Sequence, residues 1–393
     1  MAARRSRKVL LCPMAEGVGL GPISQLLAVA EEATLKGVEC AFLASGRHQG
    51  ILEQLGYRCY AAPRPIRKDS SAPDYRLSDA ARALGIADVE YLTRALEAEQ
   101  RAIDDFSPDI LFSATKLTTV VSARRNSIPL VSLTATPDSP DFTSPLYPPT
   151  LEEAEPNPDG IRLQEFFAAR GLPGVTDLSA LSFKLSDYKV AASCRSFDPF
   201  FDPEEVTYVG PLLSKAIDLY WTKASFNYHR PLIVVYINRG SVLVSDYIDI
   251  LIPIAISMKD HDFLIIEPEA SSQLTVPDNV IIVDRIPITR VIQHAVALIS
   301  GGGKSAVLSA AQAGVPVLGL PGRSAERDFN VRRITDLGGG LMASGFPPAA
   351  ADVREALDLL IREDRFRQSA AALAVELADL PGASGVVRLL REV

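Results

Sequence analysis

The stretch that decides the fold is Val296-ALISGGGKSAVLSAAQAGVPVLGL-Pro321. It reads as a buried strand, a glycine turn, a helix and a second buried strand. Val296 to Ile299 is apolar throughout, as a strand covered on both faces must be. Gly301, Gly302 and Gly303 permit a sharp turn and a close approach of ligand to backbone. Ser305 is placed as the N-cap, the helix as Ala306 to Ala313, and Gly314 as its stop. A glycine turn feeding a helix start offers backbone N–H groups and the positive end of a helix dipole, a combination that binds phosphate. A plain tight turn between strand and helix would have the same outline. The spacing is not that of a Walker A loop, because Leu298 stands where that loop needs glycine. Three adjacent glycines do not have the dinucleotide-binding spacing either.

Outward from this stretch, strands and helices alternate along the chain. In the first half, strands are expected at Lys8–Met14, Val38–Ala44, Ile110–Phe112 and Pro129–Leu133, with helices at Ile23–Lys36 and within Ala80–Phe106. Between Pro137 and Pro158 the chain turns proline-rich and acidic, and reads as an irregular loop. A second series follows Tyr208-Val-Gly-Pro211. It has strands at Pro231–Ile237, Phe263–Ile266 and Val280–Val283 and helices at Asp246–Met258 and Ile288–His294. Further helices are expected at Leu357–Ile361, Gln368–Leu380 and Val386–Glu392. Alternation of this kind predicts an α/β chain with two doubly wound, Rossmann-like domains. The boundary is set at 205/206, giving domains 1–205 and 206–393, with the last helix packing back on the first domain.

Composition narrows the function. The chain has 393 residues, 47% hydrophobic and 22% charged, enough for two cores and too apolar for disorder. No apolar run in the sequence reaches the roughly 18 residues of a membrane helix. The net charge of −8 makes nucleic acid an unsuitable partner. Arg4, Arg5, Arg7 and Lys8 precede only a short apolar run, which is a first strand and not a signal peptide. Cys12, Cys40, Cys59 and Cys194 lack metal spacing and read as reduced thiols of a cytoplasmic protein. No metal site is expected.

The glycine segment, followed by Val315-Pro316, Pro321, Glu326-Arg327 and Asn330, resembles the donor-binding segment of GT-B glycosyltransferases. The closer likeness is to the nucleotide-sugar-dependent family that glycosylates small molecules. Other pieces fall in the family's order: Gly17-Val-Gly-Leu-Gly21 before a helix, Val209-Gly-Pro211, Gly240-Ser241, Asp278-Asn-Val280 and Pro287. The resemblance implies two domains facing across a cleft, a nucleotide diphosphate sugar as co-substrate, and a small-molecule acceptor on the N-terminal side. It implies no further cofactor, and leaves a homo-oligomer or a partner enzyme open. It places the diphosphate on the N–H groups from Gly303 to Ala306, Lys304 and Ser305 among them, and on the Ser241 hydroxyl, with Gly302 also in the donor site. Ile286 would pair with the base through its backbone and Arg285 would stack on it. Glu326 and Arg327 fall where the family has the pair that reads the donor sugar, Asn330 matches the asparagine that follows, and Gly17, Gly19 and Gly21 would line the cleft.

The same resemblance marks departures. Gly301 stands in place of a histidine, and Ser309 in place of the glutamate that grips the ribose hydroxyls. Pro22 stands at the catalytic histidine, and Phe112, Ser113 and Ala114 occupy the region of its aspartate partner, with Lys116 beyond. Proline carries no exchangeable proton, and Glu16 is the nearest acid. The histidines are His48, His229, His261 and His294, with no position at the expected cleft. Three functions fit: an inverting glycosyltransferase without the usual dyad, a non-catalytic relative that binds a ligand or partner enzyme, or an enzyme of other chemistry such as a nucleotide-sugar epimerase.

Overall fold

The computed structural model describes residues 6–14, 21–66, 81–82, 84–143, 158–175, 178–220, 227–237, 247–266, 276–284 and 286–393. The chain divides into two compact units, Met1–Ser214 together with Leu380–Val393, and Lys215–Asp379. Each is built on one all-parallel sheet.

The first sheet has seven strands in the order β3-β2-β1-β4-β5-β6-β7. These are β1 Lys8–Pro13, β2 Glu39–Ala44, β3 Arg58–Ala61, β4 Ile110–Ala114, β5 Leu130–Thr134, β6 Tyr188–Ala191 and β7 Val206–Tyr208. The second has six, in the order β10-β9-β8-β11-β12-β13. Its strands are β8 Leu232–Tyr236, β9 Asp262–Ile266, β10 Val280–Val283, β11 Ala295–Ser300, β12 Val317–Gly319 and β13 Gly340–Met342. The central strands are apolar because helices cover both faces. Val9 to Cys12 in β1 and Leu232 to Val235 in β8 are fully buried.

Both sheets reverse direction of growth beside their first strand, between β1 and β4 and between β8 and β11. At such a point two neighbouring connections leave in opposite directions. A crevice opens outside the carboxyl ends of the strands, and ligands bind there. The register fixes what borders each crevice. Pro13 pairs with Ala114, and Met14 N–H continues the ladder to Ala114 O at 2.9 Å. In the second unit Ser300 pairs with Tyr236, and Gly301 N–H reaches Tyr236 O at 3.4 Å.

The helix Val89–Phe106 has the apolar spacing of a core-facing helix. Asp88 caps it by accepting from Tyr91 N–H at 3.0 Å, and Leu92, Ala95, Ala98, Ala102 and Phe106 form its buried stripe. Elsewhere, buried polar groups tie elements at the strand ends. Asn279 Nδ2 donates to Ala255 O, Met258 O and His261 O, closing the end of helix Ile248–Ser257. Asp198 accepts from Thr136 N–H at 3.0 Å and from the Ser193 hydroxyl, joining the connections after β5 and β6.

Several elements differ from the sequence expectation. Helix Lys304–Gln312 starts two residues earlier than expected, with Gly303 as N-cap, so Ser305 lies inside the first turn and does not cap it. The helix Gly46–Gln54 and the strands β3, β6, β7 and β13 were not expected. These strands have three or four residues each, too few for a periodic signal. β7 extends the first sheet past residue 205, and the first unit runs to Ser214. The C-terminal helix Ala383–Glu392 packs on helix Gly21–Leu35 within the first unit. Gly382 N–H donates to Val209 O and Arg7 Nη1 to Leu390 O at 3.1 Å. Among the described residues, one stretch, Asp364–Glu392, is long and apolar enough by length and composition to cross a membrane. In the fold it is two helices, Asp364–Ala378 and Ala383–Glu392, parted at Gly382 with φ +60° and assigned to different units.

Candidate functional site

The turn after β11 sits at the reversal point of the second sheet, and its shape is set by its neighbours. Gly302 has φ +82°, a conformation that favours glycine. A Cβ there would lie 2.7 Å from Arg327 O and 2.9 Å from Val331 Cγ2. The turn is pinned on both sides. Gly302 N–H donates to Ser300 Oγ at 3.1 Å, and Asn330 Nδ2 donates to Gly302 O at 2.9 Å. Gly319 in β12 lies against the Val331 side chain where a Cβ would collide, which brings helix Ala325–Asp336 down onto the sheet. A helix packed this closely can deliver Asn330 and Arg327 to the turn.

Gly303 caps the following helix in an extended conformation, φ −62° and ψ 126°. Ala306 N–H is donated to Gly303 O at 3.0 Å. The expected set of amides is therefore narrowed. Lys304 and Ser305, with Gly303 ahead of them, supply the first-turn N–H groups that have no acceptor within the helix. Lys304 is 8% exposed despite its charge. Arg327 Nη1 lies 3.5 Å from where a Gly301 Cβ would stand, so a guanidinium borders the glycines. Backbone amides, a helix N-terminus and an arginine thus meet at one end of the sheet, with Lys304 buried at the helix start. Such a set stabilises a negative diphosphate and the charge that develops on it as a leaving group.

Of the other expected residues, Asn330 is fully buried, with Oδ1 lacking a hydrogen-bond partner among the described residues. Glu326 is exposed in the first turn of the Arg327 helix. Ile286 is buried two residues before the short helix Ile288–Val291, which packs on helix Lys304–Gln312. Ser309 is buried on that helix, and its hydroxyl has no hydrogen-bond partner among the described residues. Ser241, Arg285, Glu16, Gly17 and Gly19 lie outside the described residues. Ser300 was missed as the anchor of the turn, although a serine directly ahead of three glycines is a readable signal for a side chain that binds the turn's own backbone.

In the first unit, Gly21 and Pro22 form the start of helix Gly21–Leu35. A proline is favourable there because first-turn N–H groups have no helical acceptor. Ser113 is fully buried and its Oγ accepts from Lys116 N–H at 3.2 Å, so it serves the backbone of the turn. The histidines stand elsewhere. His48 is buried in helix Gly46–Gln54, His261 pairs with Asp260 at 3.0 Å, His294 neighbours the Tyr228 ring, and His229 N–H donates to Asp262. Burial pushes the Cys40 and Cys59 thiols up to about 12, which keeps them protonated and poorly nucleophilic. Among the described residues no group of three His, Cys, Asp or Glu side chains could hold a metal ion.

Comparison with known proteins agrees with this architecture. Residues 255–393 match the family model of the C-terminal domain of erythromycin biosynthesis protein CIII-like proteins. Over 412 aligned residues the chain is 24% identical to the PGL/p-HBAD biosynthesis rhamnosyltransferase of Mycobacterium bovis, covering 95% of this chain and 85% of that one. The solved glycosyltransferase of kitacinnamycin superposes with a TM-score of 0.75 at 16% identity, over 99% of both chains. The spinosyn rhamnosyltransferase SpnG, solved with thymidine diphosphate, superposes with a TM-score of 0.71 at 17% identity, over 98% of this chain and 100% of that one. The resemblance carried by the glycine segment therefore holds for the fold. With two parallel α/β sheets of this order and similar proteins along nearly its whole length, the chain has the GT-B fold and is similar to UDP-glycosyltransferase-like transferases.

Proposed function

We propose that the chain transfers a sugar from a nucleoside diphosphate donor to a small-molecule acceptor, with inversion at the anomeric carbon. The observation that carries this reading is the glycine turn at the reversal point of the second sheet, where the Gly303–Ser305 amides start a helix and Arg327 borders the glycines. In the reaction an acceptor hydroxyl oxygen forms a bond to the anomeric carbon, and its O–H bond breaks, the proton passing to solvent before or during attack. The bond from that carbon to the diphosphate oxygen breaks, and the diphosphate leaves with the electron pair. The turn would hold the diphosphate and stabilise its growing charge. Ser241, Arg285 and Ile286 would complete the nucleotide's seat, and Glu326 and Asn330 would face the sugar. The relatives' names support the reading: one is a rhamnosyltransferase, and SpnG was solved with thymidine diphosphate and, separately, with the spinosyn aglycone. The four cysteines are thiols and not disulfides, which supports a reducing compartment, the cytoplasm.

A second reading has its own support. Pro22 begins a helix and Ser113 binds the backbone of its own turn, so neither side chain supplies the acid–base pair that relatives use. A non-catalytic relative that binds a nucleotide would look the same. One experiment separates the two. The protein is incubated with UDP-, dTDP- and GDP-sugars and a panel of aglycones, and products are followed by mass spectrometry. Transfer supports the first reading. Nucleotide binding by calorimetry without transfer or donor hydrolysis across the panel supports the second.

A further inference from the structure

Asn330 is fully buried on helix Ala325–Asp336, and its Nδ2 donates to Gly302 O at 2.9 Å. A carbonyl oxygen accepts only from a donor, so the Asn330 amide can face it in one orientation. The peptide that carries this oxygen also carries the Gly303 N–H. Among the described residues the one cis peptide is Phe346-Pro347, so the Gly302–Gly303 peptide is trans. In a planar trans peptide the C=O and the N–H point in opposite directions. The bond from Asn330 therefore turns the Gly303 N–H away from the Asn330 side chain. Gly301 and Gly302 are buried and Gly303 is half-buried, so the turn opens at Gly303. No acceptor among the described residues takes its N–H.

Glycine stands on both sides of this peptide, so a half-turn of its plane meets no Cβ of its own. Reversal would put the Gly302 oxygen where the Gly303 N–H now stands. An acceptor would replace a donor, and an anion would be repelled there instead of held. The preceding peptide is held separately. Gly302 N–H donates to Ser300 Oγ at 3.1 Å, which removes that amide from those open to a ligand. The turn after β4 starts in the same way, with Lys116 N–H on Ser113 Oγ at 3.2 Å. There the residue at positive φ is Thr115, at +56°, whose branched side chain itself restricts the backbone. The glycine turn has no such restraint of its own, and a hydrogen bond from a buried side chain supplies one.

We propose that Asn330 is a positioning residue, whose bond to Gly302 O selects the orientation of the Gly302–Gly303 peptide that offers the Gly303 N–H to the donor's diphosphate. This role rests on the donor reading above and names the side chain that makes the turn competent for an anion.

The test uses the full chain with the variants Asn330→Asp and Asn330→Ala. The probes are UDP, dTDP and GDP, with uridine, thymidine and guanosine as their phosphate-free matches, titrated by calorimetry and ligand-observed NMR. An ionised aspartate has no donor and sets an acceptor against Gly302 O, which favours the reversed peptide. Asn330→Asp is expected to weaken diphosphate binding by at least about tenfold, the worth of one hydrogen bond, and to leave nucleoside binding within about threefold. The loss should shrink as pH falls from about 8 to about 5, because burial raises a carboxyl's pKa and the neutral acid regains an O–H donor for Gly302 O. Taking the ratio to wild type at each pH removes the nucleotide's own titration. Asn330→Ala lacks both the bond and the repulsion. It should lose about three- to tenfold on the diphosphate alone, with no pH dependence in that ratio. Thermal melts establish folding, and Asn330→Ala decides if the aspartate variant does not fold. Diphosphate affinity within about twofold of wild type in a folded variant would overturn the role of Asn330 and leave the donor reading standing. So would an equal loss on diphosphate and nucleoside, or an aspartate loss that persists at low pH. Absence of nucleotide binding by the wild type would remove the donor reading and this role with it.

Discussion

The turns after β4 and β11 hold equivalent positions in sheets of the same order, yet they expose different chemistry. The turn after β11 is glycine from 301 to 303, so the backbone itself faces the crevice. Backbone amides are the same in every protein, and they suit a group common to many donors, such as a diphosphate. The turn after β4 keeps side chains, with Thr115 and Lys116 beside Tyr91 and an apolar wall. Side chains offer a shape and charge that bare backbone cannot. The comparison teaches that one topology can present bare backbone at one reversal point and side chains at the other.

The contrast is open to breakage by substitution. The largest effect is expected from Gly302→Val. Positive φ and a Cβ 2.7 Å from Arg327 O combine backbone strain with overpacking, and together they should cost about 3 kcal/mol of stability. Thermal or denaturant melts check this, and a loss under about 1 kcal/mol would mean the turn is looser than described. Asn330→Ala should cost about 1–2 kcal/mol by removing the bond to Gly302 O at a buried position, and should weaken nucleotide binding with it. Unchanged affinity in a folded variant would detach Asn330 from the site. The smallest effect is expected at the other turn. Thr115→Gly relieves about 1–2 kcal/mol of strain but adds about 0.5–1 kcal/mol of unfolded-state entropy, so a net gain of about 0.5 kcal/mol should appear as a slightly raised Tm. A lowered Tm would mean that the threonine side chain contributes more than its backbone costs.

The two regions were unequally legible in the sequence. Strands β1, β8 and β11 are uniformly apolar and could be read directly, and the glycine run marked its own turn. The strands β3 and β6 could not be read, because Arg58–Ala61 and Tyr188–Ala191 are short and only partly buried and carry no clear alternation. Ser305 misled as an N-cap because the helix instead begins at Lys304, leaving first-turn amides to face the crevice. The likeness of Ser113–Lys116 to Ser300–Lys304 was invisible in residues alone. Ala-Thr-Lys does not resemble three glycines and a lysine, and only the shared strand order aligns them. Lys116 was marked only by its place beyond the expected aspartate, and its burial beside Tyr91 could not be read because it depends on helix Val89–Phe106 packing over the turn.

The central claim is that the backbone after β11 holds a nucleoside diphosphate. Gly303→Val tests it most directly. Gly303 has φ −62° and ψ 126°, which valine adopts readily, so the fold should survive while the branched side chain crowds the N–H groups of the helix start. Calorimetric titration of UDP and dTDP into the wild type and the variant should find binding in the first and a loss of about a hundredfold or more in the second, at matched melting temperatures. Nucleotide affinity unchanged in a folded Gly303→Val protein would contradict the placement of the diphosphate at this turn.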